Sequence, residues 1–298
     1  MFDRTFLRYL GLLSGLTLTV WSFLSGLLQG LMGYIDPSTF GPKQALAPLP
    51  ALFLACLLNA WVVLWITRRT ALTGRRLGLL IFTVVFGVMF LLPQMETVYF
   101  NDALQIPWGV IGATLVSGGG MGLVAAKVAA RFRQESPATR HDASRPLPLS
   151  FTLSGLVFLA FLYVVLYFTC GYFIAWRSPA VRLFYAGTQA LLPFGEHLQH
   201  QAVGLFVLQG IRGLLWAAIG CAVAIHLPYA TPAERMVLVG LALSVGLAFP
   251  ILVPNPYLPW TVRRLHFIEL LTENFLLGVV AAWIFGRKST PPPLGPPV

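Results

Sequence analysis

Leu265-His266-Phe267-Ile268-Glu269-Leu270-Leu271-Thr272-Glu273-Asn274-Phe275-Leu276-Leu277-Gly278-Val279-Val280-Ala281-Ala282-Trp283-Ile284-Phe285 decides how this chain is read. A helix of that length rises about 32 Å at 1.5 Å per residue, enough to cross about 30 Å of bilayer hydrocarbon. Its only ionisable side chains are His266, Glu269 and Glu273, spaced by three and four residues. That spacing places all three on one helical face. The stretch therefore reads as a membrane span with a polar stripe.

Seven further apolar stretches lie upstream: Leu10–Met32, Ala45–Ile66, Leu77–Met95, Leu104–Ala126, Ser150–Trp176, Ala202–Ile225 and Met236–Val253. The composition agrees, with 57% hydrophobic and 10% charged residues over 298 positions. A soluble domain carries about 25% charged residues, and a disordered chain is poor in apolar side chains. Both classes are excluded. The expected fold is an all-α polytopic transmembrane helix bundle of about eight spans. The first stretch follows Arg4 and Arg8 but is too long for a signal-peptide core and lacks a small-residue cleavage site, so it reads as a retained anchor.

The net charge of +10 is distributed as short basic runs between spans, such as Arg68-Arg69 and Arg75-Arg76, with no aromatic interleaving. Nucleic acid is not the expected partner; membrane lipid is. With a cytoplasmic N-terminus, fourteen Lys and Arg fall on the inner side and five on the outer side, leaving Arg212 within a span. The positive-inside rule then puts both termini in the cytoplasm, in a plasma membrane. The Arg-rich composition fits a bacterial inner membrane.

Residues 131–149 read as a basic cytoplasmic linker between a first half (1–130) and a second half (150–287), and 288–298 as a disordered Pro-rich tail. The halves resemble one another. Gly122-Leu123-Val124-Ala125-Ala126 matches Gly278-Val279-Val280-Ala281-Ala282; Leu92-Pro93-Gln94 matches Val253-Pro254-Asn255; Asn59 aligns with Arg212. Either a parallel four-plus-four duplication or the self-similarity of apolar sequence accounts for this.

Ionisable groups within a bilayer cost about 2.5–3.5 kcal/mol each and normally face a cavity or a partner. The candidates are Arg212, Glu96, His266, Glu269 and Glu273, with Arg263 and Arg264 at the outer end of the last span. Counting rise from the span ends sets Arg212 and Glu273 at similar depth, so Arg212 is expected to pair with Glu273 or Glu269. Outer-side Arg177, Arg182, Arg263 and Arg264 run against the charge rule, for which a small anionic ligand, a lipid head group or simple snorkelling each accounts.

His197 and His200 together with His266 and Glu269 offer four metal-type donors, but neither pair has a specific spacing and HExxH is absent. No metal or other cofactor is expected on that basis. Cys56, Cys170 and Cys221 lie apart in apolar runs and read as packing residues. No phosphate loop or GxSxG elbow is present, and Ser117-Gly118-Gly119-Gly120-Met121-Gly122 reads as close helix packing or a local break lining a cavity. Three functions follow as expectations: a protein that binds or moves a small anionic solute or head group, an enzyme acting on a lipid-linked substrate with His266 or Glu269 as base, or a non-catalytic subunit.

Overall fold

The computed structural model describes residues 3–33, 47–135 and 149–286. Eight helices there are long and apolar enough to cross a membrane, and no strand occurs among the described residues. They are α1 (Arg4–Leu31), α2 (Leu49–Arg69), α3 (Gly74–Tyr99), α4 (Trp108–Glu135), α5 (Leu149–Trp176), α6 (Val203–Ile225), α7 (Pro232–Leu252) and α8 (Trp260–Gly286). The chain is a multi-pass integral membrane protein. Large side chains such as Phe23, Phe161 and Val203 stay exposed on the outside of the bundle, where acyl chains solvate them.

Several helices outrun the apolar stretches that announce them. Asp3 caps α1 by accepting the Phe6 N–H at 2.8 Å, so the helix starts at Arg4 rather than Leu10. Helix α4 continues through residues 131–135, which the sequence assigned to the linker. Phe132 is buried there against Phe6 and Tyr9, and Glu135 receives Arg8 at 2.6 Å and the Tyr9 hydroxyl at 2.5 Å. Amphipathic end turns satisfy one another, which hydropathy alone does not register. The rest of the expected linker, 136–148, and the Pro-rich tail lie outside the described residues.

One end of the bundle is basic. Arg68 pairs with Asp3, and Glu234 joins the halves by accepting Arg69 Nε at 2.7 Å and Trp65 Nε1 at 2.8 Å. Buried Arg235 donates to Gly286 O at the end of α8 and to Leu227 O and Ala230 O. A cation at a helix C-terminus meets the negative end of its dipole and its unpaired carbonyls. Both ends of the described chain are therefore at this basic end.

The two halves share a packing plan. In the first, α1 touches α2 and α4, and α4 touches α2 and α3; in the second, α5 touches α6 and α8, and α8 touches α6 and α7. The halves meet where α2 packs on α7 and α3 packs on α6 and α7. Exchanging the halves maps the α2–α7 seam onto the α6–α3 seam, as a two-fold along the bundle would. A glycine on the fourth helix of each half permits close approach. A Cβ at Gly278 would lie 2.6 Å from Val239 O, and one at Gly122 would lie 2.8 Å from the Phe82 ring.

Both halves also break helical regularity on their third helix, midway along α3 and at the end of α7 opposite the basic one. Thr83–Leu91 of α3 is a π-helix, with Leu92 N–H donating five residues back to Gly87 O just ahead of Pro93. Helix α7 closes in a 3₁₀ turn, Phe249–Leu252, that contains Pro250. Proline removes a donor and crowds the preceding turn, and the altered winding accommodates it. Helix α5 ends in a π segment as well, Gly171–Trp176.

Candidate functional site

These irregular segments surround one cavity of about 1090 Å³, at the bundle end opposite the basic one and between the halves. Broken helices are tolerated in lipid only where protein or a cavity covers their unpaired backbone groups, and here a cavity adjoins them. The glycine run of α4 is not part of it. A Cβ at Gly118 would fall 2.3 Å from Phe90 of α3 and one at Gly120 would fall 3.2 Å from Val20 of α1, so these two glycines serve close packing of α4 on its neighbours.

The wall carries two carboxylates, Glu96 from α3 and Glu269 from α8, with His266 beside them. Glu96 sits one turn past Pro93. Its Oε2 is 2.8 Å from Arg212 Nη2, and its Oε1 accepts the Tyr167 hydroxyl at 2.8 Å. Arg212 is fully buried behind the wall, where its Nη1 donates to Gln209 Oε1 at 2.7 Å and its Cζ lies 5.8 Å from the Tyr163 ring centroid. Tyr163 hydroxyl donates to the same Gln209 oxygen at 3.3 Å.

The partner of Arg212 is thus Glu96, not Glu273 or Glu269. Helix α6 faces α3 across a seam between the halves, where a long guanidinium reaches a carboxylate near the end of α3, a contact that depth along α6 and α8 does not encode. Glu269 is engaged elsewhere, with His266 Nδ1 at 2.6 Å from its Oε2. Glu273 is buried one turn deeper, accepts Asn274 Nδ2 at 3.0 Å and lies within electrostatic reach of Arg212 and Tyr163. Its Oε2, together with Gln209 Nε2, Arg212 Nε and Trp216 Nε1, is a buried polar atom without a hydrogen-bond partner.

The outer arginines do not bring positive charge to the cavity. Arg263 Nη1 donates to Leu252 O at 3.2 Å, with its Cζ 5.4 Å from the Trp260 ring, and Arg264 is exposed. Arg264 is two residues from His266, about 200° round the helix. Arg182 is buried, with its guanidinium donating to Trp176 O and Gln189 O. No Lys or Arg lines the cavity among the described residues.

The four-donor metal set is not assembled either. Among the described residues no three His, Cys, Asp or Glu side chains converge to hold an ion. His266 is taken by Glu269, and His200 Nδ1 lies 2.7 Å from Glu196 O. His197 packs between aromatic rings, 5.0 Å from Trp176 and 5.4 Å from Tyr172 between centroids. Burial, and then His200, hold the His197 pKa below the usual histidine value. Burial, and then Glu96 and Glu269, push the Tyr185 phenol well above its usual range.

The remaining lining mixes aromatic faces, among them Trp21, Phe90, Tyr167, Tyr172, Trp176 and Tyr185, with aliphatic side chains and polar ones such as Gln94, Thr97, His197 and Asn255. Sequence reasoning passed over Tyr163, Tyr167 and Gln209. The signal was available: phenols four residues apart within an apolar span need partners for their hydroxyls. The chain matches no known family model, no curated protein and no solved structure.

Proposed function

We propose that this protein binds an amphiphile between its two halves and carries the head group across the bilayer. The apolar body would lie against the aromatic wall, and a zwitterionic or positively charged head group would sit at Glu96, His266 and Glu269. The observation that carries this reading is the cavity itself. Ligand pockets typically span about 300–1,000 Å³, and this one has carboxylates, imidazoles and aromatic faces but no Lys or Arg among the described lining residues. Aromatic faces with nearby carboxylates attract cations. A small anionic solute, the alternative drawn from the outer arginines, loses its support because those side chains are spent on backbone carbonyls or point away.

The excess of Lys and Arg at the opposite end supports placing both termini in the cytoplasm of a bacterial inner membrane, with the cavity open to the outer leaflet. The shared packing plan supports a duplicated ancestry, and parallel repeats of this kind suit a carrier that rocks one half against the other.

The test is native mass spectrometry and thermal stabilisation of the purified protein in nanodiscs. Tetraphenylphosphonium, an aminophospholipid and an anionic phospholipid would each be compared on wild type and Glu96→Gln. Stabilisation by the first two, weakened in the variant, is expected. Stabilisation by the anionic lipid alone would reverse the sign assigned to the site.

One observation favours a second reading. Glu269 orients His266 through Nδ1, leaving Nε2 without a partner, which is the arrangement of a general base. Conversion of a bound lipid to a product of changed mass would establish that chemistry.

A further inference from the structure

Resting on the reading that the cavity takes a cationic head group, we propose that this binding is coupled to proton release, so that the protein exchanges its ligand against protons. Three carboxyl groups and one imidazole are gathered within a few helical turns. Glu96 comes from α3, and His266, Glu269 and Glu273 come from one face of α8. Among the described residues one fixed cation, Arg212, stands with them, and it is committed to Glu96. The other titratable groups facing this cluster are Tyr163, Tyr167 and Cys170 of α5, and Tyr185 of the short helix Pro179–Ala186. His197 and His200 stand at the mouth of the cavity.

Groups this close share their charge, so a cation that enters the cavity acts on the whole cluster and not on one member alone. A positive head group placed beside Glu269 and Glu96 favours every carboxylate and disfavours imidazolium. Both effects have one sign: protons leave the cluster for bulk buffer as the cation enters. By linkage, protons arriving on the cluster expel the cation, and a transmembrane pH difference then drives ligand movement.

Glu273 is the member best placed to act as a proton store. It is buried behind Glu269, one of its oxygens is unpartnered, and towards the basic end the same face of α8 continues through Leu277, Gly278, Ala281 and Phe285 with no titratable group. Its protons therefore enter and leave by way of the cavity in this conformation.

The experiment is calorimetric titration of tetraphenylphosphonium into the full-length protein in nanodiscs, at several pH values between 5.5 and 8. Each titration is repeated in buffers of different ionisation enthalpy. The slope of heat against buffer enthalpy counts protons. A net release of between about half a proton and one proton in part of this range is expected, reduced by half or more in Glu273→Gln and in His266→Gln. Binding with zero proton release at every pH overturns the coupling, as does release unchanged in both variants. Absence of binding at every pH overturns the ligand assignment instead. Glu269→Gln serves if either variant fails to fold, with the same reduction expected and unchanged release again counting against the coupling.

Discussion

Replacing Glu96 with Gln and Arg212 with Met, singly and together, measures what holds the charged wall in place. Arg212 has 0% side-chain exposure and Glu96 24%, with 2.8 Å between them. Glu96→Gln leaves a buried guanidinium with Gln209 as its remaining side-chain hydrogen-bond partner and the more distant Glu273 as counter-ion, an under-compensated charge worth about 3 kcal/mol, the lower end for a broken buried pair. Arg212→Met leaves a carboxylate that still accepts the Tyr167 hydroxyl and reaches the cavity, so the loss is nearer that of one charged hydrogen bond, about 2 kcal/mol. The double variant removes both charges and keeps most of the volume. Such replacements are commonly neutral, and a cost of about 1 kcal/mol is expected. Reversible unfolding in mixed micelles should therefore show Glu96→Gln as the worse single change and a coupling of at least about 2 kcal/mol. A coupling below about 0.5 kcal/mol, the level of independent sites, would refute the assignment, as would a larger coupling of Arg212 to Glu273→Gln than to Glu96→Gln.

Other perturbations test the frame around that pair. Gly118→Ala places a methyl 2.3 Å from Phe90, and overpacking of this kind costs about 1–3 kcal/mol; Phe90→Leu in the same chain should recover part of the loss in thermal midpoint. Glu234→Gln weakens the bonds from Arg69 and Trp65 that cross between the halves, and about 1 kcal/mol should be lost in low salt and less in high salt, read by the same unfolding assay. The folded His197 has its pKa below the ordinary histidine value of about 6.5, so the unfolded chain binds that proton first as pH falls. Wild type should then lose stability as pH falls below about 7, and the loss should be complete once the folded value is passed. The thermal midpoint of His197→Phe should fall less over that window, and an equal fall would show that His197 contributes nothing.

Eight spans were legible because hydropathy over about 20 residues reports the one constraint a bilayer imposes, that backbone hydrogen bonds close within the segment. The one-faced stripe His266–Glu269–Glu273 was legible for a related reason, since helical periodicity fixes which residues of a single helix share a face. What lay across a seam was not. Arg212 meets Glu96 through the packing of α6 on α3, and no spacing along either helix encodes that contact. Arg263 illustrates the converse: its place near the polar stripe suggested a ligand, whereas the end of α7 supplies a carbonyl for it to cap. Short-range periodicity carried the face, and tertiary packing chose the partner.

The two seams between the halves show why charge has collected on one side of the cavity. At the α2–α7 seam, the position that aligns with Arg212 is Asn59, whose amide rests 3.2 Å from Met89 Sδ beside Gly246, an uncharged contact. At the α6–α3 seam the corresponding place holds Arg212 and Glu96. At that level the first seam closes without charge, its Arg69–Glu234 pair lying at the basic end instead, so a buried ion pair at this depth belongs to the α6–α3 seam and not to the shared packing plan. Keeping a guanidinium fully buried incurs desolvation that an apolar residue would avoid. The return on that cost is positional: Arg212 anchors Glu96 at the cavity wall while Tyr167 fixes its second oxygen, leaving a carboxylate of set orientation opposite the His266–Glu269 pair. If that is the purpose, Arg212→Met should leave a folded protein whose cavity binds tetraphenylphosphonium less selectively over neutral triphenylmethane derivatives, by about tenfold. Unchanged selectivity in a well-folded Arg212→Met protein would return the pair to a purely packing role.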